Sequence, residues 1–214
     1  MKIAKEIILV AAGGHGRSVL DALLTAGNSV CGIIDPSLKV SQDIFGVPVL
    51  GGDEIFDKIS ANDYLLANGF GANPSVVRRT EAYSNLLRKT FRFVAVAHPS
   101  ATISRESKLA DGSQIMAGVI IQSRVHIGCN SVVNTGAILD HDVVIGEHAF
   151  IAPGAVLCGG VIIGCGAFIG AGAILSPGIK VGEGAIVGAG SVVRCNVLDG
   201  EFYAGVPATK KFRA

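Results

Sequence analysis

The sequence predicts a small α/β domain with a mostly parallel sheet, followed by a solenoid of stacked coils, and three observations carry that prediction. From Ile103 to Leu198 the chain divides into sixteen uninterrupted hexads, and the first position is Ile, Leu or Val in every one. Residues 1–97 lack that period and alternate short apolar runs with glycine turns and helical stretches. Half of the 214 residues are hydrophobic, yet aromatics make up only 6%, tryptophan is absent and glycine numbers 29. Such a mixture suits aliphatic layers and tight turns better than aromatic clusters, in a chain long enough to bury a substantial core.

The elements of residues 1–97 follow in order. Glu6 to Ala12 is an apolar run expected as a strand, and Gly13-Gly14-His15-Gly16 makes a turn into a helix from about Arg17 to Thr25. Val30 to Ile34 reads as a second strand ending at Asp35-Pro36, and Tyr64 to Ala67 as a third leading into Gly69-Phe70-Gly71-Ala72-Asn73. A helix from about Pro74 to Lys89 and a strand from Phe93 to Val96 complete the unit. Strand, glycine turn and helix in succession argue a parallel sheet, whose ligands bind outside the carboxyl ends of the strands. The first turn is a fragment of a dinucleotide fingerprint, suited to bringing backbone amides close to a phosphate at a helix N-terminus.

The hexads fix the rest, 98–214, because an aliphatic residue every six positions stacks on its copies in neighbouring coils. Position five is Ser, Ala, Val or Ile in all sixteen, and position four is often glycine. Small residues fit where a wall turns, and glycine tolerates the positive φ of a tight corner. The 31 residues from Ala149 to Ile179 carry no charge, but eight glycines, Pro153 and Pro177 interrupt them and the hexads run on at both ends. A membrane span is therefore not expected.

Charge and cysteine usage narrow the functions. Eighteen basic against seventeen acidic residues leave a net charge of +1, which gives no electrostatic footprint for nucleic acid or an acidic membrane. Cys31, Cys129, Cys158, Cys165 and Cys195 form no CxxC pair; they read as reduced thiols in a cytoplasmic protein with no metal site.

The chemistry-bearing hexad is LDHDVV, with His141 and Asp142. Histidine can accept a proton near neutral pH, and a neighbouring carboxylate raises its basicity. One coil spans three hexads if the solenoid is triangular, so Ser123 and Gly159, eighteen residues either side of His141, should stack beside it. Gly159 would then offer an unhindered N–H to a developing oxyanion.

Several segments together carry a resemblance: AAGGHGRSV, the IIDP strand end, HPSATIS at 98–104, the unbroken hexads and GVPA at 205–208. The sequence resembles the hexapeptide-repeat sugar acetyltransferases, in the subfamily of nucleotide-4-amino-sugar N-acetyltransferases and sialic acid O-acetyltransferases. The resemblance implies a left-handed parallel β-helix, three hexads per coil, and a homotrimer with acetyl-CoA as cosubstrate between subunits. It implies His141 as general base with Asp142 in the acidic position, and coenzyme A contacts at Phe150, Gly159, Ala171 and Ala189. It also implies nucleotide-sugar contacts at Gly13, Gly14, His15, Asp35, Pro36, Gly71 and Asn73. Where many relatives place a second histidine this chain has Phe150, with His148 two residues earlier. Lys210, Lys211 and Arg213 are candidates for phosphate contact at the C-terminus.

N-acetylation of a nucleotide-linked amino sugar is favoured over O-acetylation of a sialic acid, because phosphate-type turns and a histidine base both suit it. A zinc carbonic anhydrase would need three converging histidines, and of the three in the hexads, His126, His141 and His148, the last two are seven apart and so fall on different hexad positions of successive faces. A non-catalytic ice-binding β-helix would show threonine arrays, and the hexads contain only Thr135. A cysteine nucleophile would need a consistently placed base, which the repeat does not supply.

Overall fold

The computed structural model describes residues 5–212. Its first part contains β1 (Glu6–Val10), α1 (Gly14–Thr25), β2 (Val30–Ile34), β3 (Asp43–Ile44), β4 (Val47–Gly51), a 3₁₀ turn (Asp53–Asp57), β5 (Tyr64–Asn68), α2 (Val77–Arg88) and β6 (Arg92–Phe93). The sheet order is β3-β4-β2-β1-β5-β6. All pairings are parallel except the β3–β4 hairpin, whose turn puts Phe45 and Gly46 at positive φ. Alternate residues of β1 face opposite layers: Leu9 packs with Val19, Leu20 and Leu23 of α1, and Ile8 with Tyr83 and Leu86 of α2. Chain order reverses at β1, with β2 on one side and β5 on the other. That places the ligand crevice at the ends of β1 and β5.

Two sequence expectations need revision here. The β3–β4 hairpin was not foreseen, because its Phe-Gly turn lacks the usual Asn-Gly signal. The single strand expected over Phe93–Val96 is two: β6 closes the sheet edge, whereas Val96–Ala97 pair with Gln114–Ile115 and begin the solenoid. Val96 lies eighteen residues before Gln114, so the coil register claims it.

The second part is a left-handed parallel β-helix with three flat faces. Face one stacks Val96–Ala97, Gln114–Ile115, Val132–Val133, Phe150–Ile151, Phe168–Ile169 and Ile186–Val187; face two runs from Thr102–Ile103 to Val192–Val193, and face three from Lys108–Leu109 to Lys180–Val181. From Val96 to Val193 successive rungs of each face pair eighteen residues apart, as Val132 with Phe150 and Ile138 with Val156. Position-one residues point inward and are buried, Leu139, Ile145, Ile151 and Leu157 each at 2% exposure or less. Burying such a side chain contributes roughly 1.5–3 kcal/mol. Position-five residues Ala137, Val143, Ala149 and Ala155 complete the same core, and position six points outward.

Two kinds of glycine hold the walls. At position four, Gly154 turns the corner at φ +67°. At position two, Gly164 lies against the next coil, where a Cβ would stand 2.6 Å from the Glu183 nitrogen. The C-terminal Phe202–Gly205 joins face one and folds back with Ala208–Lys211.

A buried polar joint locks the two parts together. Arg79 of α2 is fully buried and donates to three carbonyl oxygens: Nε to Asn130 at 3.0 Å, and Nη1 to Asn68 at 3.2 Å and Phe70 at 2.7 Å. Burial depresses its pKa to about 9. Asn68 at the end of β5 donates to the Asn130 side-chain oxygen at 3.0 Å, and its carbonyl accepts from Gln114 at 2.6 Å. Strand ends of the sheet are thereby tied to rungs of the β-helix.

Candidate active site

The β-helix turns three corners per coil, and the predicted residues occupy two of them. His141, Asp142 and Gly159 come together at the corner between faces two and three. His141 Nδ1 lies 2.8 Å from Asp142 Oδ2. A Cβ on Gly159 would stand 2.6 Å from His141 Cε1 and 2.7 Å from Nε2, so the imidazole lies directly over the glycine of the next coil. Among the described residues no acceptor takes the Gly159 N–H.

Asp142 stands at position four with φ +61°, the place glycine fills elsewhere. Arg124, eighteen residues earlier and also at positive φ, grips it with two hydrogen bonds of 2.7 and 2.8 Å. The Arg124 hydrogen bond, then that from His141, holds the Asp142 carboxyl down at about 2. The His141 imidazole is held above its ordinary value, chiefly by its hydrogen bond to Asp142 and then by the charge of Asp140. Nδ1 therefore carries a proton toward the carboxylate, and Nε2 is the free base. Sequence reasoning missed Arg124, although the eighteen-residue spacing that paired His141 with Gly159 also pairs Arg124 with Asp142.

At the corner between faces one and two lies a cleft of about 780 Å³ between the α/β domain and the β-helix. It gathers Gly14, His15, Gly71 and Asn73 from the strand-end turns and Phe150, Ala171 and Ala189 from the solenoid. The rings of Phe150 and Phe168 stack along its floor at 5.6 Å, and His15 lies 5.8 Å from Phe150. The N–H groups of Ala171 and Ala189 meet no acceptor among the described residues. The cleft therefore offers an apolar floor edged by free amides.

Other predicted residues have different tasks. Gly16 and Gly69 are packing positions, where a Cβ would stand 2.2 and 1.9 Å from the Ala11 carbonyl oxygen, whereas Gly13 and Gly14 are open on their side-chain side. Asp35 is buried and spent on structure: its carboxylate accepts from Ala12 N–H at 2.8 Å, and from Ser37 N–H at 2.9 Å and Ser37 Oγ at 2.6 Å. Burial works to raise its pKa, but these hydrogen bonds hold it low. Neither Asp35, Pro36 nor Gly13 lines the cleft. His148 sits at the third corner, where Nδ1 meets Asn130 Nδ2 at 2.9 Å and the ring stands edge-on to Tyr83. Its corner is remote from His141. Lys210 pairs with Glu201, and Arg213 lies outside the described residues. Among the described residues no three His, Cys, Asp or Glu side chains group as a metal site, and no helix is long and apolar enough to cross a membrane.

Comparison with known proteins agrees with this division. Residues 6–82 match the PglD N-terminal domain, and residues 124–159 and 160–195 match the bacterial transferase hexapeptide (six repeats). PerB from Caulobacter crescentus, solved with CoA and GDP-perosamine, is 33% identical with a TM-score of 0.89, covering 98% of this chain and 99% of its own. The chain belongs to the nucleotide-amino-sugar acetyltransferases of the hexapeptide family. The acetyltransferase domain of PglB from Neisseria gonorrhoeae FA1090 is 28% identical at a TM-score of 0.91, covering 97% of this chain and 100% of that one. WeeI from Acinetobacter baumannii AYE is 27% identical at 0.86, covering 97% and 100%. A search of curated proteins finds no match. As a member of this family the chain is an acetyltransferase with acetyl-CoA as cosubstrate.

Proposed function

We propose that the chain transfers the acetyl group of acetyl-CoA to the amino group of a nucleotide-linked amino sugar, with His141 as general base. The observation that carries this reading is the His141 imidazole, anchored by Asp142 at Nδ1 and laid over the bare backbone of Gly159. Acetyl-CoA supplies an activated carbonyl as a thioester. His141 Nε2 takes the proton that the attacking amine gives up, and Asp142 stabilises the imidazolium that results. As the new C–N bond forms the carbon–sulfur bond of the thioester breaks, coenzyme A leaving as a thiolate that takes the proton back from the imidazolium. The Gly159 N–H is placed to stabilise the negative charge that develops on the carbonyl oxygen. The relative PerB, crystallised with GDP-perosamine and CoA, supports an amino-sugar acceptor held by the α/β domain.

Within one chain the base and the cleft lie at different corners. We propose that a homotrimer unites them, the His141 corner of one subunit meeting the cleft of the next. In support, exposed aliphatic side chains flank that corner on both sides, Ile138 and Ile174 on face two and Val144 and Ile162 on face three. Apolar ladders of this kind mark an interaction surface. Five cysteines without a disulfide suit a reducing compartment such as the cytoplasm.

The test is thiol release from acetyl-CoA with GDP- and UDP-linked amino sugars against free sialic acid. Turnover is expected only with a nucleotide-linked amine; turnover confined to sialic acid would replace this reading with O-acetylation. His141→Ala is expected to lower kcat by roughly 10²- to 10⁴-fold while coenzyme A binding, followed by calorimetry, stays near that of the parent. Unchanged kcat would remove His141 as the base.

A further inference from the structure

His15 stands in a glycine turn of the kind that binds phosphate, and in that setting a histidine suggests a cation for a diphosphate. The hydrogen bonds around it argue the reverse. Gln114, outward-facing on face one, donates its amide nitrogen to the Asn68 backbone carbonyl at 2.6 Å. A carbonyl oxygen only accepts, so this contact orients the amide, and the Gln114 oxygen must be the atom 2.9 Å from His15 Nε2. An oxygen there requires a proton on Nε2. We infer that Gln114 is a positioning residue that fixes His15 as its Nε2–H tautomer, so that His15 offers the lone pair of Nδ1 and selects a hydrogen-bond donor of the ligand in place of a phosphate.

Three further observations agree. Nδ1 has no protein partner among the described residues, and His15 lines the cleft with Phe150, Gly71 and Asn73. The side chain is packed between Gly71, where a Cβ would stand 3.0 Å from His15 Cβ, and the Phe150 ring at 5.8 Å. Protonation is opposed from behind by burial and then by the Arg79 guanidinium, which leave His15 neutral with a pKa near 4, against a smaller opposing effect of the Gln114 hydrogen bond. An unprotonated nitrogen is repelled by phosphate oxygens and attracted by N–H or O–H groups. Two ligands of this reaction carry such donors: the amides of the coenzyme A arm, and the hydroxyl and amino groups of the sugar. The ligand assignment rests on the cleft being the substrate site; the tautomer does not.

The experiment is long-range ¹H–¹⁵N NMR on the labelled full chain, with His15 signals assigned by their loss in His15→Asn. Expected from about pH 8 down to about pH 5 are a protonated Nε2 and an unprotonated Nδ1. Titration of His15 near neutral pH, or a proton on Nδ1, would overturn the inference whatever the enzyme turns over. In Gln114→Met the ring is expected to populate both tautomers. Calorimetry on that variant should show about ten-fold weaker binding, the loss of one hydrogen bond, for either coenzyme A or a GDP-linked amino sugar, and the ligand affected identifies the donor. GDP alone should bind as it does to the parent. Equal weakening of GDP would mean that His15 meets the phosphates after all, and unchanged binding of all three would show that Gln114 positions nothing.

Discussion

Arg124 and Asp142 set the acid–base behaviour of the His141 corner through the hydrogen bonds that link guanidinium, carboxylate and imidazole. The carboxylate divides itself between a guanidinium and an imidazole, so the arginine tempers the basicity that the aspartate confers. In the proposed role His141 must be neutral to act, so kcat/KM should rise with pH through its elevated pKa. Arg124→Gln frees the carboxylate for the imidazole and removes a repelling charge, with Asp140 left as the second anion and Glu106 released from Arg124. The acid limb of the pH profile is then expected to move to higher pH; a limb that moves down would contradict the arrangement. Gly159→Ala makes a separate prediction. Its methyl would occupy the place of the ring, and a displacement of about an ångström costs on the order of a hundred-fold in kcat, while circular dichroism and melting temperature should barely move for so exposed a corner. Of this site, His141, Asp142 and Gly159 were legible from the spacing of the hexads. Arg124 obeys the same eighteen-residue rule, but an arginine at a corner position carries no signal of its own until its partner Asp142 is seen to share its charge with His141.

At the scale of the element, the solenoid distinguishes two demands that look alike in sequence. Glycine at position four answers a backbone requirement, and alanine there costs about 1–2 kcal/mol for the left-handed conformation. Glycine at position two answers a spatial one, because the next coil's backbone occupies the room a methyl would need. Gly164→Ala should therefore destabilise more than Gly154→Ala, by about 3 kcal/mol, measured as the shift of the thermal unfolding midpoint; the opposite order would show that the coils can part to admit a methyl. The hexad period, the inward aliphatics and the corner glycines could all be read from the sequence. The position-two requirement could not, because it depends on the distance between walls. In the α/β domain β1, β2, β5 and both helices were legible from apolar runs and glycine turns. The β3–β4 hairpin was not, since Phe-Gly carries no strong turn preference, and the fate of Val96 was decided by pairing with a rung it had not yet met in the chain.

For the whole molecule, the proposed trimer would make activity a property of the assembly, because the proposed base and the cleft lie at different corners of one subunit. Replacing Ile138 and Ile174 together by glutamate puts charge on an exposed apolar ladder without touching the core. Sedimentation is expected to show monomers with the circular dichroism of the parent, and acetyl transfer should vanish. Full activity in a monomer would exclude shared sites.

The Arg79 joint has a consequence for engineering. On the proposed reading, acceptor preference belongs to the front module and acyl chemistry to the coils behind it, which invites grafting one enzyme's front onto another's rear. The seam, however, is stitched from Asn68, Arg79, Gln114 and Asn130, two from each side. A chimera that carries only the front pair would strand buried donors and acceptors at the boundary, so all four must travel as a set for a transplanted specificity to function.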